Sequence, residues 1–339
     1  MTCPLTIAIS TRNRAKFIGS TLDSILPQLP TGAELLVVDG ASTDNTSEVV
    51  RDYQSRYPAV RYVRLDTNSG VDRDYDRSVA LSSGEYCWLM TDDDLLREGA
   101  VGEVLRVIAD NPSLIIVNAE VRNADLTKVV EERRLALTSD RVYAGAELDR
   151  MFSDVAHYLS FIGCVVIRKS IWMSRDREQY FGSLFVHMGV IFQQPFPHSV
   201  VVLAKPLIAI RYGNAQWRGR QFEIWMFKWP GLVWSFPLIS AEAKSAVIPR
   251  EPWRNAAKLL LFRARGAYSR SEYTTWIRPR ARSLAERLRL ACVLLVPGAV
   301  ANAMALIYTS LKKDPGMLRV ELRDSRYHVR HWLWRGSRA

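Results

Sequence analysis

The sequence predicts an α/β fold: a doubly wound, mostly parallel sheet followed by a basic helical region. Three observations carry this. Runs of strand length alternate with runs of helical periodicity four times between Leu5 and Met90. The strand-like runs are followed by polar or acidic residues. From Gln216 onward the alternation gives way to Arg- and Trp-rich helical pattern. Regular β–α alternation implies parallel strands with helices packed on the sheet. In such sheets ligands gather beyond the carboxyl ends of the strands.

The elements follow in order. Leu5–Ser10 is a β-branched run ending at Thr11-Arg12-Asn13-Arg14, and Phe17, Ile18, Leu22, Ile25 and Leu26 then recur at helical spacing until Pro27. Glu34–Asp39 is a second buried strand closed by Gly40, and Ser42–Asn45 offers N-caps for a helix to about Arg56. Val60–Leu65 is a third strand. Asn68-Ser69-Gly70 turns into a helix over Asp72–Leu81, closed by Ser83-Gly84. The fourth strand is Tyr86–Met90. Further on, the pattern predicts helices near Ala100–Asp110 and Ala144–Phe152, and strands at Leu114–Asn118, Ile162–Arg168 and Leu203–Arg211.

The fourth strand runs into Thr91-Asp92-Asp93-Asp94. A buried strand cannot carry three unpaired carboxylates, because desolvation costs several kcal/mol per ion. The charges therefore belong at the open strand end. Asp92 and Asp94, one residue apart, suit a hard divalent cation, Mg²⁺ or Mn²⁺, that keeps waters and binds substrate phosphates. The plainer alternative is an acidic turn with Asp94 capping the next helix. Thr11, Asp39, Asn68 and Asp92–Asp94 all follow strands and are expected on one rim.

Charge is unevenly distributed along the 339 residues. Lys+Arg minus Asp+Glu is 11 − 17 = −6 for residues 1–110, 10 − 10 = 0 for 111–204 and 25 − 8 = +17 for 205–339. The last segment also holds eight of the ten Trp, as a surface meeting anionic lipid headgroups would. No nucleic-acid motif accompanies it. Residues 290–311 carry no charge, but Pro297-Gly298 and Asn302 interrupt them. An interfacial or re-entrant helix pair is expected there, flanked by Arg280, Arg282, Arg287, Arg289, Lys312 and Lys313, with a soluble packed helical hairpin or a simple span as the alternatives. Cys3, Cys87, Cys164 and Cys292 lack C-x-x-C spacing and are expected as reduced core residues. No basic n-region and h-region precede the first strand, so no secretory signal is expected.

The rim motifs carry a resemblance. Ile9-Ser10-Thr11-Arg12-Asn13-Arg14, Val37-Val38-Asp39-Gly40-Ala41-Ser42-Thr43-Asp44-Asn45-Thr46, Asn68-x-Gly70, Gly84-Glu85-Tyr86 and Asp92-Asp93-Asp94 resemble family 2 of the GT-A glycosyltransferases in order and spacing. Val71-Asp72-Arg73 and Tyr86-Cys87-Trp88 resemble the abequosyltransferase-type members, which add deoxysugars to lipid-linked O-antigen repeats. Two positions depart from the family pattern: Ser10 stands for a proline, and Asp72-Arg73-Asp74 for A-R-N.

The resemblance implies a GT-A catalytic domain over residues 1–215 and a helical region for membrane docking and acceptor binding over 216–339. It implies that Thr11, Arg12, Asn13, Asp39, Asn68, Arg73, Asp92 and Asp93 bind the nucleotide sugar, and that Asp92 and Asp94 hold the metal. Arg211 and Asn214 would meet diphosphate or acceptor. An inverting transfer needs one base, and His187 stands in the corresponding region, with Asp176 and Glu178 in reserve. The implied protein is a metal-dependent inverting glycosyltransferase, peripheral on the cytoplasmic face of the inner membrane. Its partners would be a nucleotide-diphosphate sugar, a lipid-linked glycan acceptor and an anionic membrane surface, with no nucleic acid. Two rivals stand beside it: a non-catalytic GT-A-fold membrane scaffold, and a sugar-nucleotide nucleotidylyltransferase. The latter is disfavoured because Ser10-Thr11-Arg12-Asn13 lacks the glycines of a triphosphate loop. A dinucleotide-binding dehydrogenase is excluded by the absence of G-x-G-x-x-G after the first strand.

Overall fold

The computed structural model describes residues 3–311 and 316–329; Lys312 and Lys313, invoked above as flanking cations, lie outside these. The chain divides into two compact units, residues 1–211 with 236–247, and 212–235 with 248–339. The first division falls after Arg211 rather than after residue 215, because the last long strand ends there. Residues 236–247 return to the first unit, where the Phe236 ring meets those of Phe152 and Phe192 at 6.0 and 5.8 Å.

The first unit begins with β1 (Leu5–Thr11), α1 (Ala15–Ile25), β2 (Glu34–Asp39), α2 (Thr46–Arg56), β3 (Val60–Arg64), α3 (Val71–Leu81) and β4 (Tyr86–Met90). It continues with β5 (Leu95–Leu96), α4 (Ala100–Ile108), β6 (Leu114–Arg122), β7 (Val129–Glu131), β8 (Arg141–Tyr143) and α5 (Leu148–Val155). β9 (Val165–Arg168), α6 (Lys169–Ser174), α7 (Val186–Phe192) and β10 (Val200–Arg211) complete the series. The sheet order is β3-β2-β1-β4-β9-β6-β10-β5. β3, β2, β1 and β4 are mutually parallel, as are β6 and β10. β9 enters antiparallel between β4 and β6.

Continuous apolar sequence explains the centre of the sheet. Every residue of β4, and all of β1 except Ser10, is buried, as expected of strands covered on both faces. A fully buried Leu, Ile or Val contributes roughly 1.5–3 kcal/mol. Gly84 permits the close entry of β4 beside β1, since a Cβ there would sit 2.4 Å from Thr6 N.

Departures from expectation have local causes. β6 runs on to Arg122 because Asn118, which looks like a strand end, is buried and satisfied: its Nδ2 donates to Leu135 O and Ala204 O, and its Oδ1 accepts from Ala119 N and Leu135 N. α5 starts at Leu148 rather than near Ala144, because Gly145 O accepts from Phe196 N and the chain there lies against Phe196 O and His198 O. Ile162–Cys164 forms a 3₁₀ turn whose Gly163 carbonyl accepts from Trp88 Nε1, so only Val165–Arg168 is strand. Cys87 and Cys164 are core residues, whereas Cys292 is exposed.

The second unit is helical. Phe222, Met226, Trp253, Leu259, Phe262, Tyr268, Ile277, Leu290 and Val293 form its main core. Much of the tryptophan excess serves packing rather than surface: Trp229 and Trp253 are buried, and Trp276 stacks on Phe227 at 5.1 Å beneath the Arg280 guanidinium. Trp217 is exposed. Among the described residues no single helix is long and apolar enough to cross a membrane. The segments Leu284–Leu295 and Gly298–Ser310 meet at an 85° bend at the Pro297-Gly298 break.

Candidate active site

The loops after β1 and β2 are knitted into one rim. Asn13, at a φ of 56°, accepts through Oδ1 from Thr43 N at 2.7 Å, and its own N–H donates to Ser42 Oγ at 2.9 Å. Arg14 N donates to Thr46 Oγ1 and Ala15 N to Asp44 Oδ2. Asp44 also accepts from Thr46 N, so Asp44 rather than Asn45 holds the start of α2. Asn13, Ala41 (φ 60°) and Leu184 (φ 74°) are three of the five non-glycine residues with positive φ among the described residues. Such conformations cost free energy and concentrate at sites the surroundings over-determine.

Asp39 ends β2 with no exposed surface. Its Oδ1 accepts from Ser42 N at 2.8 Å and its Oδ2 from the Tyr62 hydroxyl at 2.7 Å. The turn-capping role open to this residue is therefore present, and each oxygen keeps a further lone pair. Gly40 must lack a side chain because a Cβ would lie 2.6 Å from Asp74 Oδ2.

The acidic triplet sits at the carboxyl end of β4. Arg14 reaches Asp92 through Nε and Asp93 through Nη2, both at 3.3 Å, and all three side chains are 12–13% exposed. Burial, then the charge of Asp93, pushes the Asp92 carboxyl up to about 7; Arg14, the Thr11 hydroxyl and Arg12 N–H act against this. Thr11 Oγ1 faces Asp92 without completing a hydrogen bond of ordinary geometry. Asp94 is buried and is likewise pushed well up, by burial and by Asp93. It does not cap a helix: β5 follows, and α4 starts only at Ala100. Its Oδ1 accepts from Arg211 N at 2.6 Å and its Oδ2 from the Thr91 hydroxyl. Arg211 also donates Nε to Asp93 O at 2.9 Å and Nη2 to Ser20 Oγ.

Thr11, Asp92, Asp93, Asp94 and Arg211 are thus brought together. Arg14 was legible only as part of a motif and proves to be the counterion of the site. Carboxylates held above their normal pKa by burial and then by mutual repulsion favour a cation. Among the described residues no three His, Cys, Asp or Glu side chains converge on a metal position. The donors fit a cation held by Asp92 and Asp94 and completed by diphosphate oxygens and water.

Other expected residues lie differently. Asn68 is exposed and caps its own turn, accepting from Gly70 N at 3.1 Å. Arg73 stacks on the Phe181 ring at 4.4 Å and lines a cleft of about 280 Å³ with Ser69, Asp76, Arg77, Arg177 and Glu178. Asn214 falls in the second unit. The two acids that replace the family's pattern are structural. Asp72 accepts from the N–H groups of Gly182, Leu184 and Val186, fixing the strained loop before α7, and Asp74 accepts from Ser69 Oγ beneath Gly40.

His187 requires a correction. The side chain is 1% exposed in α7, and its Nε2 lies 2.6 Å from Leu159 O, an acceptor that requires this nitrogen to carry the proton. Nδ1 is buried without a partner, and burial lowers the pKa to about 4. In this conformation the ring is closed to an acceptor hydroxyl. Of the reserve carboxylates, Asp176 accepts from Glu178 N and Gln179 Nε2, whereas Glu178 is exposed on the cleft.

Comparison with known proteins bears on family and fold. A family model described as Glycosyl transferase family 2 matches residues 6–173. The chain is 25% identical to abequosyltransferase RfbV of Salmonella typhimurium over 224 residues, 62% of this chain and 67% of that one. Among solved structures it resembles S. aureus TarS 1–349 in complex with UDP, with a TM-score of 0.54, 16% identity and coverage of 98% of this chain and 92% of the other. It also resembles the mannosyltransferase PcManGT from Pyrobaculum calidifontis in complex with GDP-Man and Mn²⁺, with a TM-score of 0.53, 16% identity and coverage of 94% and 84%.

Proposed function

Residues 6–173 are a glycosyl transferase family 2 domain on a GT-A fold, and from that premise we propose that the protein transfers a sugar, with inversion, from a nucleoside diphosphate donor to a hydroxyl of a lipid-linked or polysaccharide acceptor. The observation that supports this most is the crowding of three carboxylates at the end of a parallel strand, where Asp92 and Asp93 share the guanidinium of Arg14 and Asp94 is buried next to them. A site that holds excess negative charge in partial burial is suited to a cation and, through it, to a diphosphate.

In this reading Thr11, Arg12, Asn13 and Asp39 receive the base and ribose, and Asp93 orients the ribose or sugar. Arg73 and Arg211 contribute positive charge towards the diphosphate side, and Asn68 shapes the turn before α3. Asp92 and Asp94 would hold Mg²⁺ or Mn²⁺, which when bound neutralises the leaving diphosphate. Glu178, exposed on the arginine-lined cleft, replaces His187 as the group that accepts the acceptor's proton. A relative named for abequosyl transfer makes a deoxyhexose the first donor sugar to test. A lipid-linked acceptor would bring the protein to the cytoplasmic face of the inner membrane, where the basic region from 216 onward meets anionic headgroups.

Thermal-shift measurements with UDP, CDP, GDP and dTDP, each with and without Mn²⁺, test the reading. Binding at a hundredfold excess over Kd stabilises by about 2.7 kcal/mol. One nucleotide should raise Tm, more so with Mn²⁺, and Asp39→Ala should remove the shift. No shift with any of the four would favour a non-catalytic scaffold, the reading that the sealed His187 supports.

A further inference from the structure

The second unit contains a cavity of about 610 Å³ lined by Arg263, Arg270, Tyr273, Thr274, Arg278 and Leu294. Three guanidiniums, with no carboxylate among the lining residues, select for an anion rich in acceptor oxygens, whereas the Tyr273 and Thr274 hydroxyls already donate to Arg287 O and Arg270 O. Arg263 is held in place: its Nε donates to Val296 O at 3.2 Å, and its Nη1 to Tyr268 O and the Tyr327 hydroxyl, both at 3.3 Å. Arg270 and Arg278 are exposed, and neither pairs with a described carboxylate.

Exposed apolar residues follow the cavity along the chain. Leu294 lines it, and the next residue, Leu295, is 80% exposed. Across the 85° bend, helix Gly298–Ser310 and the residue after it expose Val300, Met304, Ile307, Tyr308 and Leu311. These recur at intervals of four, three, one and three, which is a single helical stripe. The preceding arm adds Leu284 and Leu288 one turn apart, interleaved with exposed Arg287 and Arg289. Side chains this apolar are costly to leave in water, and a continuous face of them marks a binding surface. Arg270 and Arg278 in the cavity and the exposed Arg287 and Arg289 of this arm favour a partner that is both apolar and negatively charged.

We propose that the arginine cavity and the apolar stripe form one docking site for the surface of an anionic phospholipid bilayer. A headgroup phosphate occupies the cavity, and the stripe lies among the upper acyl chains. Neither arm of the bent pair can span a bilayer, whereas both can lie in its interface. The proposal deepens the membrane reading above by naming the surface, and it rests on that reading only for the membrane being where the acceptor resides.

Vesicle flotation of the full chain, without donor nucleotide, is the test. POPC vesicles are compared with POPC containing about one-third POPG, a fraction sufficient for basic-surface binding. Two surface variants, Arg270→Glu/Arg278→Glu and Ile307→Ser/Leu311→Ser, are checked for unchanged Tm. The expected result is binding to POPG vesicles only, weakened at least about tenfold by either variant. For the stripe variant, the loss should persist at high salt. Failure of the wild type to bind POPG vesicles, or variants that bind as the wild type does, would overturn the proposal. So would a dimer in solution that the stripe variant dissociates, since the face would then belong to a second copy. The nucleotide thermal shift is read separately, so failure here leaves the glycosyltransferase reading standing.

Discussion

The acidic rim of the first unit and the bent helix pair of the second break the usual rule of burial in opposite directions. At the rim, Asp92 and Asp94 are withdrawn from water, and the guanidinium of Arg14 reaches only two of the three carboxylates. In the bent pair, Leu295 and Leu311 are left in water, in a unit whose cavity presents Arg270 and Arg278 without an ion-pair partner among the described carboxylates. Each arrangement is unfavourable for the isolated chain, and each becomes favourable with an occupant of the opposite character: a cation for the rim, an anionic apolar surface for the bend. Local violations of burial are therefore informative about ligands, provided the sign of the violation is read.

Substitutions can break this comparison. The largest effect belongs to Asp94→Ala, which should lower transfer at least about a thousandfold, the scale of losing a positioned electrostatic group in catalysis. The fold should survive, as checked by circular dichroism and Tm; full activity would remove Asp94 from the metal site. Next comes the proton acceptor. Glu178→Gln should lower kcat by about two orders of magnitude, while His187→Gln should chiefly cost stability, about 1–3 kcal/mol for disturbing a buried polar group. The reverse pattern in kcat and in urea unfolding would restore the imidazole as the base.

A smaller effect sharpens the account of the rim. The Asp92 carboxyl titrates near 7 in the folded chain, above the usual carboxylate range in the unfolded one. The folded state therefore holds the proton more tightly, and this group's contribution to stability falls as pH rises towards 7. Asp92→Asn should accordingly stabilise the metal-free protein at pH 8 by roughly 1–2 kcal/mol while removing the Mn²⁺ enhancement of nucleotide binding. Destabilisation at that pH would show that Asp92 is comfortably ionised. The smallest effect is expected at the bend: Ile307→Ser should change unfolding free energy by less than about 0.5 kcal/mol, because the side chain is 63% exposed. A loss of 2 kcal/mol or more would show that it packs against something in solution.

The two regions also differ in how far sequence reveals them. The rim was legible because strand periodicity fixes which residues follow each strand, and Thr11, Asp39 and Asp92–Asp94 need only that. Arg14 escaped because nothing in its spacing states that the loop after β1 swings its guanidinium onto Asp92 and Asp93. His187 misled for the same reason in reverse: an imidazole at a plausible interval says nothing about whether helix α7 turns it inward. In the second unit, composition announced a basic aromatic region, but the tryptophans were largely packing residues. The exposed stripe was carried by Val300, Met304, Ile307 and Leu311, whose spacing alone does not distinguish a core face from a free one.

The bond from Arg211 N to Asp94 Oδ1 has a consequence for how the chain is wired. Arg211 is the last residue of β10 and of the longer of the two segments that make up the first unit. The carboxylate expected to respond to an incoming cation is thus tethered to the peptide through which the polypeptide leaves its sheet. A cation bound at Asp94 would act on that exit through the Arg211 N–H, so susceptibility of the Tyr212-Gly213 peptide to limited proteolysis should change when Mn²⁺ and the matching nucleotide are added together.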